Sequence, residues 1–336
     1  MKILYHIPYP DGMGDDRFIY DGYRHAFEDL GHQVFPFTER DVLESALALH
    51  RPDLFITSFT IIDFSKEATI MKKFRENGGK IIFRAGYLWP EKANYARFIE
   101  LVRSDMLADF YCSECIVPKE NFEALTGHPC LRLPLAADKT IHFPTKPDKK
   151  YECDIIFVGA NLPLKREKFK RRLHPLFKKY RVKVFGGDWD FADKYVLHPL
   201  AKIDRILNLG GVFAKWRINR QVPLNEENVA YSSAKISLNF HEDNLLIGPN
   251  SRIFKIPASG GFEICDPIPM LRDYFTEDEM VMPATDEEFF KQVDYYLSHE
   301  AERKAMQERA TRRAQRDHTW HNRAQTMLAW YRESLR

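Results

Sequence analysis

The stretch Asn250-Ser-Arg-Ile-Phe-Lys-Ile-Pro-Ala-Ser-Gly-Gly-Phe-Glu-Ile-Cys-Asp266 decides how this chain is read. It lies between the apolar run Ala234–Phe240 and the mixed segment Met270–Glu277. Its first half predicts a helix that stops at a glycine pair, and its second half a short buried strand, Phe262–Cys265. Gly260 and Gly261 admit positive φ or the close approach of a neighbour. Asn250 and Arg252 stand at the helix start, where unpaired N–H groups and the helix dipole favour an anion. In an α/β domain that combination suits a diphosphate.

Working outward, the same grammar repeats. Lys2–Ile7, Val34–Phe37, Leu54–Ser58, Lys80–Arg84, Ala108–Ile116 and Leu131–Pro134 read as strands. Phe18–Leu30 and Lys66–Glu76 read as amphipathic helices between them. Such alternation indicates parallel βαβ units in a doubly wound sheet. His142–Lys150, with two prolines and three lysines and no periodicity, reads as a linker. The pattern then restarts with strands at Cys153–Val158, Val182–Phe185, Ile236–Phe240, Phe262–Cys265 and Met280–Met282, and a basic helix at Lys165–Tyr180. From about Asp286 the chain turns helical: Glu287–Leu297, Ala301–Arg316, Trp320–Leu335.

The expected fold class is therefore α/β, with two facing Rossmann-like domains and a ligand in the cleft between them. The boundaries predicted are 1–145, 146–319, and a last helix at 320–336 returning to the first domain.

Composition narrows the class. The 336 residues suffice for two cores at 44% hydrophobic content, and a net charge of +2 argues against a surface dedicated to wrapping nucleic acid. No apolar run reaches the ~20 residues of a membrane span. The start, Met1-Lys-Ile-Leu-Tyr, is too short and unflanked for a signal peptide. Five scattered cysteines favour a reducing compartment over a disulfide framework. The expectation is a soluble, cytoplasmic protein without stable membrane insertion.

Three stretches, Leu238-Asn-Phe-His-Glu-Asp243, Asn250-Ser-Arg-Ile-Phe254 and Ala258-Ser-Gly-Gly-Phe262, resemble the C-terminal domain of GT-B glycosyltransferases of the CgeB-like (spore-coat) group. So do Tyr296–Arg303 and Asp317–Arg323. The resemblance covers about 153–330 and is only architectural before 145. It implies transfer of a sugar from a nucleotide-sugar donor, UDP-linked in the first instance, with no required metal. The donor is then a co-substrate rather than a cofactor.

The resemblance assigns Gly159 to the end of the first donor-domain strand and puts Lys165 and Arg166 near the diphosphate. It sets Gly187 near the base and turns Asn250 and Arg252 toward the diphosphate or sugar. Lys255 departs from it, because related sequences carry a ribose-binding glutamate there and lysine has no acceptor lone pair. Glu263 is the substitute acceptor considered. His241, at a strand end, is a candidate for the donor sugar.

Cations aimed at a departing diphosphate stabilise the charge that grows in the transition state. An inverting reaction also needs a base, for which His6, Asp11, Asp15 and Asp16 are the candidates; the resemblance leans towards retention. The acceptor is open: a small molecule, a glycan, a protein or, less favoured, DNA. Two other readings are a non-catalytic GT-B-like nucleotide- or sugar-binding protein and a GT-B-like sugar epimerase.

Other patterns carry less. Asp188-Trp-Asp190 spells a metal-binding acidic pair, but in the wrong architecture, leaving Trp189 as a wall near the base. Cys112, Cys115, His128 and Cys130 have short spacings that invite zinc; buried apolar cysteines are the expected outcome. His318 and His321 are read as structural, with Thr319 as a helix cap.

Overall fold

In the computed structural model the described residues are 1–7, 15–38, 40–58, 64–115, 118–207, 212–213, 221–242 and 248–333. The chain divides into two compact units, one comprising Met1–Leu135, Asn244–Gly248 and Trp320–Arg336, the other Ala136–Asp243 and Pro249–Thr319.

The first unit is an all-parallel sheet of β1 (Lys2–His6), β2 (Gln33–Phe37), β3 (Leu54–Ser58), β4 (Lys80–Arg84), β5 (Phe110–Ser113) and β6 (Cys130–Arg132). Their order is β2-β1-β3-β4-β5-β6. Helices α1 (Asp15–Asp29), α2 (Leu43–His50), α3 (Phe64–Glu76), α4 (Ala93–Arg103) and α5 (Pro118–Thr126) connect them. The strands are short apolar runs because both faces of a doubly wound sheet are covered. One face packs Leu4, Phe55, Phe83, Phe98 and Phe122 into a single core. The order reverses direction at β1 and β3, which places His6 and Thr57 at the switch point.

The second unit repeats the winding. Strands β7 (Cys153–Val158), β8 (Val182–Phe185), β9 (Ala234–Asn239) and β10 (Glu263–Cys265) are parallel in the order β10-β9-β7-β8. Here the reversal falls at β7 and β9. Helices α6 (His198–Leu207), α7 (Glu227–Ser233), α8 (Arg252–Ala258), α9 (Asp286–Ser298) and α10 (Glu300–Asp317) complete it, and α11 (Trp320–Glu333) belongs to the first unit.

Several sequence expectations are corrected. The continuous helix read over Lys165–Tyr180 is a run of short turns of changing pitch from Pro163 to Lys178. Pro175 lacks the N–H that would continue an α-helical ladder. Met280–Met282 supplies only a single bridge, Val281 to Ile264, rather than a strand. Helices α2, α4 and α5 went unread because their apolar stripes are short. Gly260 takes φ +73°, as the turn requires. Gly261 serves packing instead: a Cβ there would sit 2.9 Å from Ile256 Cγ2.

Candidate functional site

At the β7/β9 switch point of the second unit, two strand ends leave their polar residues together. Strand β7 ends in Gly159, whose N–H donates to Phe185 O (2.8 Å) and whose carbonyl accepts from Trp189 Nε1 (2.7 Å). A Cβ on Gly159 would lie 2.9 Å from an Arg252 guanidinium nitrogen, so this glycine lets the guanidinium rest against the strand end. Gly186, at φ +141°, passes so near that its own Cβ would lie 2.2 Å from Gly159 O. Gly187 O accepts from Asn161 N (2.9 Å), fixing the turn after β7 against the turn after β8.

Strand β9 ends in Asn239, Phe240 and His241, and three of the candidates meet there. Arg252 Nε donates to Asn239 Oδ1 (3.1 Å), a second guanidinium nitrogen donates to Phe240 O (3.3 Å), and the group lies 5.7 Å from the Phe157 ring centroid. Asn250 Nδ2 donates to the same Asn239 oxygen (2.8 Å), while Asn250 Oδ1 accepts from Arg252 N (3.0 Å). The first N–H of α8 is thus already satisfied. That seven-residue helix therefore does not offer its first N–H to a ligand.

Lys165 is the second cation. It is buried, and its pKa falls to about 8, chiefly by burial and next by the charge of Arg252. A buried lysine whose charged form is disfavoured by burial and by a nearby guanidinium would be relieved by negative charge. His241 is also buried, and its ring nitrogens have no hydrogen-bond partner among the described residues. Burial, then Arg252 and Lys165, hold its pKa well below the usual range, so the imidazole is neutral.

The sequence reading missed Lys168 and Asp266. Lys168 Nζ donates to His241 O (2.9 Å) and Asp266 Oδ2 (3.2 Å), and that carboxylate accepts from His241 N (2.6 Å). Asp266 thereby fixes the strand end. Its signal was its place just beyond β10. Arg166 is half-buried and lies within electrostatic reach of Tyr195.

Lys255 is committed elsewhere, to a buried ion pair with Glu227 (Nζ to Oε2, 3.1 Å). The same oxygen meets His142 Nε2 at 3.0 Å. Burial alone would raise the Glu227 pKa, but Lys255 and His142 bring it down to about 2. Glu263 sits on β10, 4% exposed, with Oε1 accepting from Asn239 Nδ2 (2.8 Å). Burial pushes its pKa up to about 8, against the pull of Asn239 and Arg252, so it is neutral at pH 7.

In the first unit, His6 is buried with Nδ1 hydrogen-bonded to Thr57 Oγ1 (3.1 Å) and Nε2 without a partner among the described residues. Burial, then Arg84, lower its pKa to about 4. Arg84 is itself tied to Glu114 (Nε to Oε1, 2.7 Å) and to Tyr5 OH (3.3 Å). Asp11 lies outside the described residues. Asp15 and Asp16 open α1, but their side chains lie outside them too.

The remaining patterns resolve structurally. Asp188 Oδ1 meets His198 Nδ1 (2.9 Å) and Asp190 Oδ1 accepts from Asp193 N (2.8 Å). Trp189 packs on Phe157 and Phe169. Cys112, Cys115 and Cys130 are buried and not joined in disulfides, and no cluster of three or more potential metal ligands occurs among the described residues. His318 Nε2 meets Tyr274 O (3.1 Å) and His321 Nε2 meets Asp29 Oδ2 (2.8 Å). No helix among the described residues is long and apolar enough to cross a membrane.

With this geometry in place, the comparisons can be read. Residues 166–329 match the model of a family described as glycosyl transferase-like. No curated protein matches the chain. Among solved structures, the chain is similar to an α-glucosyltransferase in complex with UDP and a 13-mer DNA containing a HMU base, at 13% identity and a TM-score of 0.66, covering 98% of each chain. It is also similar to a sucrose-phosphate synthase from Thermosynechococcus elongatus, at 13% identity and TM-score 0.62, over 99% of this chain and 98% of that one. Anabaena HepE in complex with UDP and glucose gives 12% identity and TM-score 0.62, over 98% and 99%. At such identities the likeness speaks for the fold: two parallel α/β sheets with a helical C-terminal segment, as in GT-B glycosyltransferases.

Proposed function

We propose that this chain transfers a sugar from a nucleotide-sugar donor, UDP-linked, to an acceptor hydroxyl, and that the donor diphosphate lies against Lys165 and Arg252. The observation that carries the reading is the placing of Arg252 on Asn239 and Phe240 at the end of β9, with the buried Lys165, its pKa lowered by burial and then by the Arg252 charge, and the neutral His241 at the same switch point of the second unit. A leaving diphosphate gains charge as the glycosidic bond breaks, and fixed cations stabilise it more in the transition state than in the ground state. The family match over 166–329 covers these residues except Gly159 and Lys165. UDP in two of the similar structures supports the choice of base.

In this reading His241 adjoins the donor sugar, and Gly159 and Gly187 keep the backbone open for it. His6 is the acceptor-side group: its Nε2, without a partner among the described residues, can accept a hydrogen bond from the acceptor hydroxyl while its lowered pKa keeps the imidazole neutral. The cations do the work often given to a divalent ion, so turnover of a UDP-sugar is expected to proceed in EDTA. Complete loss of donor hydrolysis on chelation contradicts this. The finer likeness to the CgeB-like group rests on the stretches that define this site. One rival reading, nucleotide binding without transfer, is favoured by the commitment of Lys255 to Glu227. Binding of UDP with no turnover of any UDP-sugar would decide for it.

A further inference from the structure

Asn239 is the hub of the proposed donor site. Arg252 Nε can only donate, so the Asn239 atom facing it is the carbonyl oxygen, which also accepts from Asn250. That orientation turns the Asn239 amide nitrogen toward β10, where Glu263 Oε1 accepts from it at 2.8 Å. An apolar residue at 263 would leave the buried Asn239 amide nitrogen without an acceptor and set that cost against the orientation in which its oxygen serves Arg252 and Asn250.

We propose that Glu263 is the positioning residue of this site, acting through Asn239 to hold Arg252 at the end of β9 where it meets an anionic ligand. The inference rests on the functional reading above and extends it to a group set behind the ligand-facing residues.

The surroundings of Glu263 fit a carboxylic acid rather than a carboxylate. It pairs in register with Ser237 on β9, whose hydroxyl is buried without a partner among the described residues. Tyr231 of α7, whose hydroxyl is likewise buried and unpartnered, lies within its electrostatic reach, as do Arg252 of α8 and Cys265 on its own strand. Glu263 Oε2 has no partner among the described residues. Among the described residues Arg252 is the cation whose charge acts on this group, and full ionisation of Glu263 beside it would draw on the field that Arg252 offers an anion. Ionisation of Glu263 and binding of a diphosphate therefore oppose one another.

The test uses the full chain labelled with 15N-arginine, with the Arg252 Nε–H resonance identified by its loss in Arg252→Lys. Lys165, beside Arg252, also titrates near 8, so the spectra are taken in a Lys165→Arg background, whose guanidinium stays charged; there the ligand-free signal is expected to be protected at pH 7 and to titrate with a midpoint near 8, where Glu263 ionises. In Glu263→Gln, which keeps an acceptor oxygen for Asn239, the signal stays protected and that titration disappears. In Glu263→Leu the protection is lost and UDP binds about tenfold more weakly, whereas Glu263→Gln binds UDP within about twofold of wild type at pH 7. An unchanged titration in Glu263→Gln, or a protected signal in Glu263→Leu, overturns the proposal. Should Glu263→Leu fail to fold, the comparison of the Glu263 and Glu263→Gln proteins in that background decides alone. If UDP binds neither protein, the functional reading falls while the ligand-free spectra still decide the role of Glu263.

Discussion

At the scale of single residues, Lys165 carries a charge that its surroundings resist. Its pKa of about 8 means that a diphosphate binds best while the amine is protonated, below that value. Affinity for UDP is expected to be level near pH 7 and to decline as pH rises through about 8. The phosphate itself is fully ionised by then, its second pKa being about 6, so it cannot cause the decline. Lys165→Arg, whose guanidinium stays charged, should bind with a shallower decline. Calorimetric titration from pH 6.5 to 9.5 checks this, and equal slopes for the two proteins would contradict it.

Lys255 tells a different story. The sequence marked it as the place where a ribose-binding carboxylate is missing, and the fold answers with Glu227 from a neighbouring helix. Reversing the charge with Lys255→Glu strands Glu227 among buried groups, and removing one partner of such a pair costs about 3–5 kcal/mol. Chemical denaturation measures it; a loss under about 1 kcal/mol would mean the pair behaves as if exposed.

At the scale of elements, glycine notches govern how close segments approach. The indole of Trp320, at the start of α11, lies where a Cβ on Gly22 of α1 would be, 2.0 Å from Trp320 Cδ1. The ring also packs on Phe18 and Tyr23, and His321 anchors to Asp29 nearby. Gly22→Ala is expected to destabilise the protein by about 1–3 kcal/mol through overpacking, despite alanine's better helix propensity. An unchanged or raised denaturation midpoint would mean the indole relocates freely.

Elements also show what the sequence could convey. Strands β7 and β9 and the turn at Gly260 were legible because apolar runs bounded by glycine have few other readings. The approach of Arg252 to Asn239 was not. It depends on β9 lying between β7 and β10, an order that no local pattern encodes. The same holds for Asp266, Lys168 and Glu227, whose roles arise only when strand ends and helix faces are brought together. The basic stretch after Gly159 looked like one helix because charge spacing says nothing about the change of pitch near Pro175.

At the scale of the whole molecule, two parallel sheets of one handed design each reverse direction once, and each reversal gathers polar residues at strand ends: His6 with Thr57 in the first unit, Gly159 with Asn239 and His241 in the second. The α/β repetition announced the two parallel sheets from periodicity alone, but not the strand order that sets where they reverse. Similarity at 12–13% identity to solved structures extends over nearly the full chain while few residues are shared, so the fold is held by pattern rather than by identity.

The central claim is that the second unit binds a nucleoside diphosphate through the cations at its switch point. Calorimetric titration of UDP into wild type and Arg252→Ala at pH 7 tests it most directly. Saturable binding that weakens at least about tenfold, or ~1.4 kcal/mol, on loss of the guanidinium is the predicted result. Absence of binding to the wild type, or equal affinity for both proteins, would contradict it.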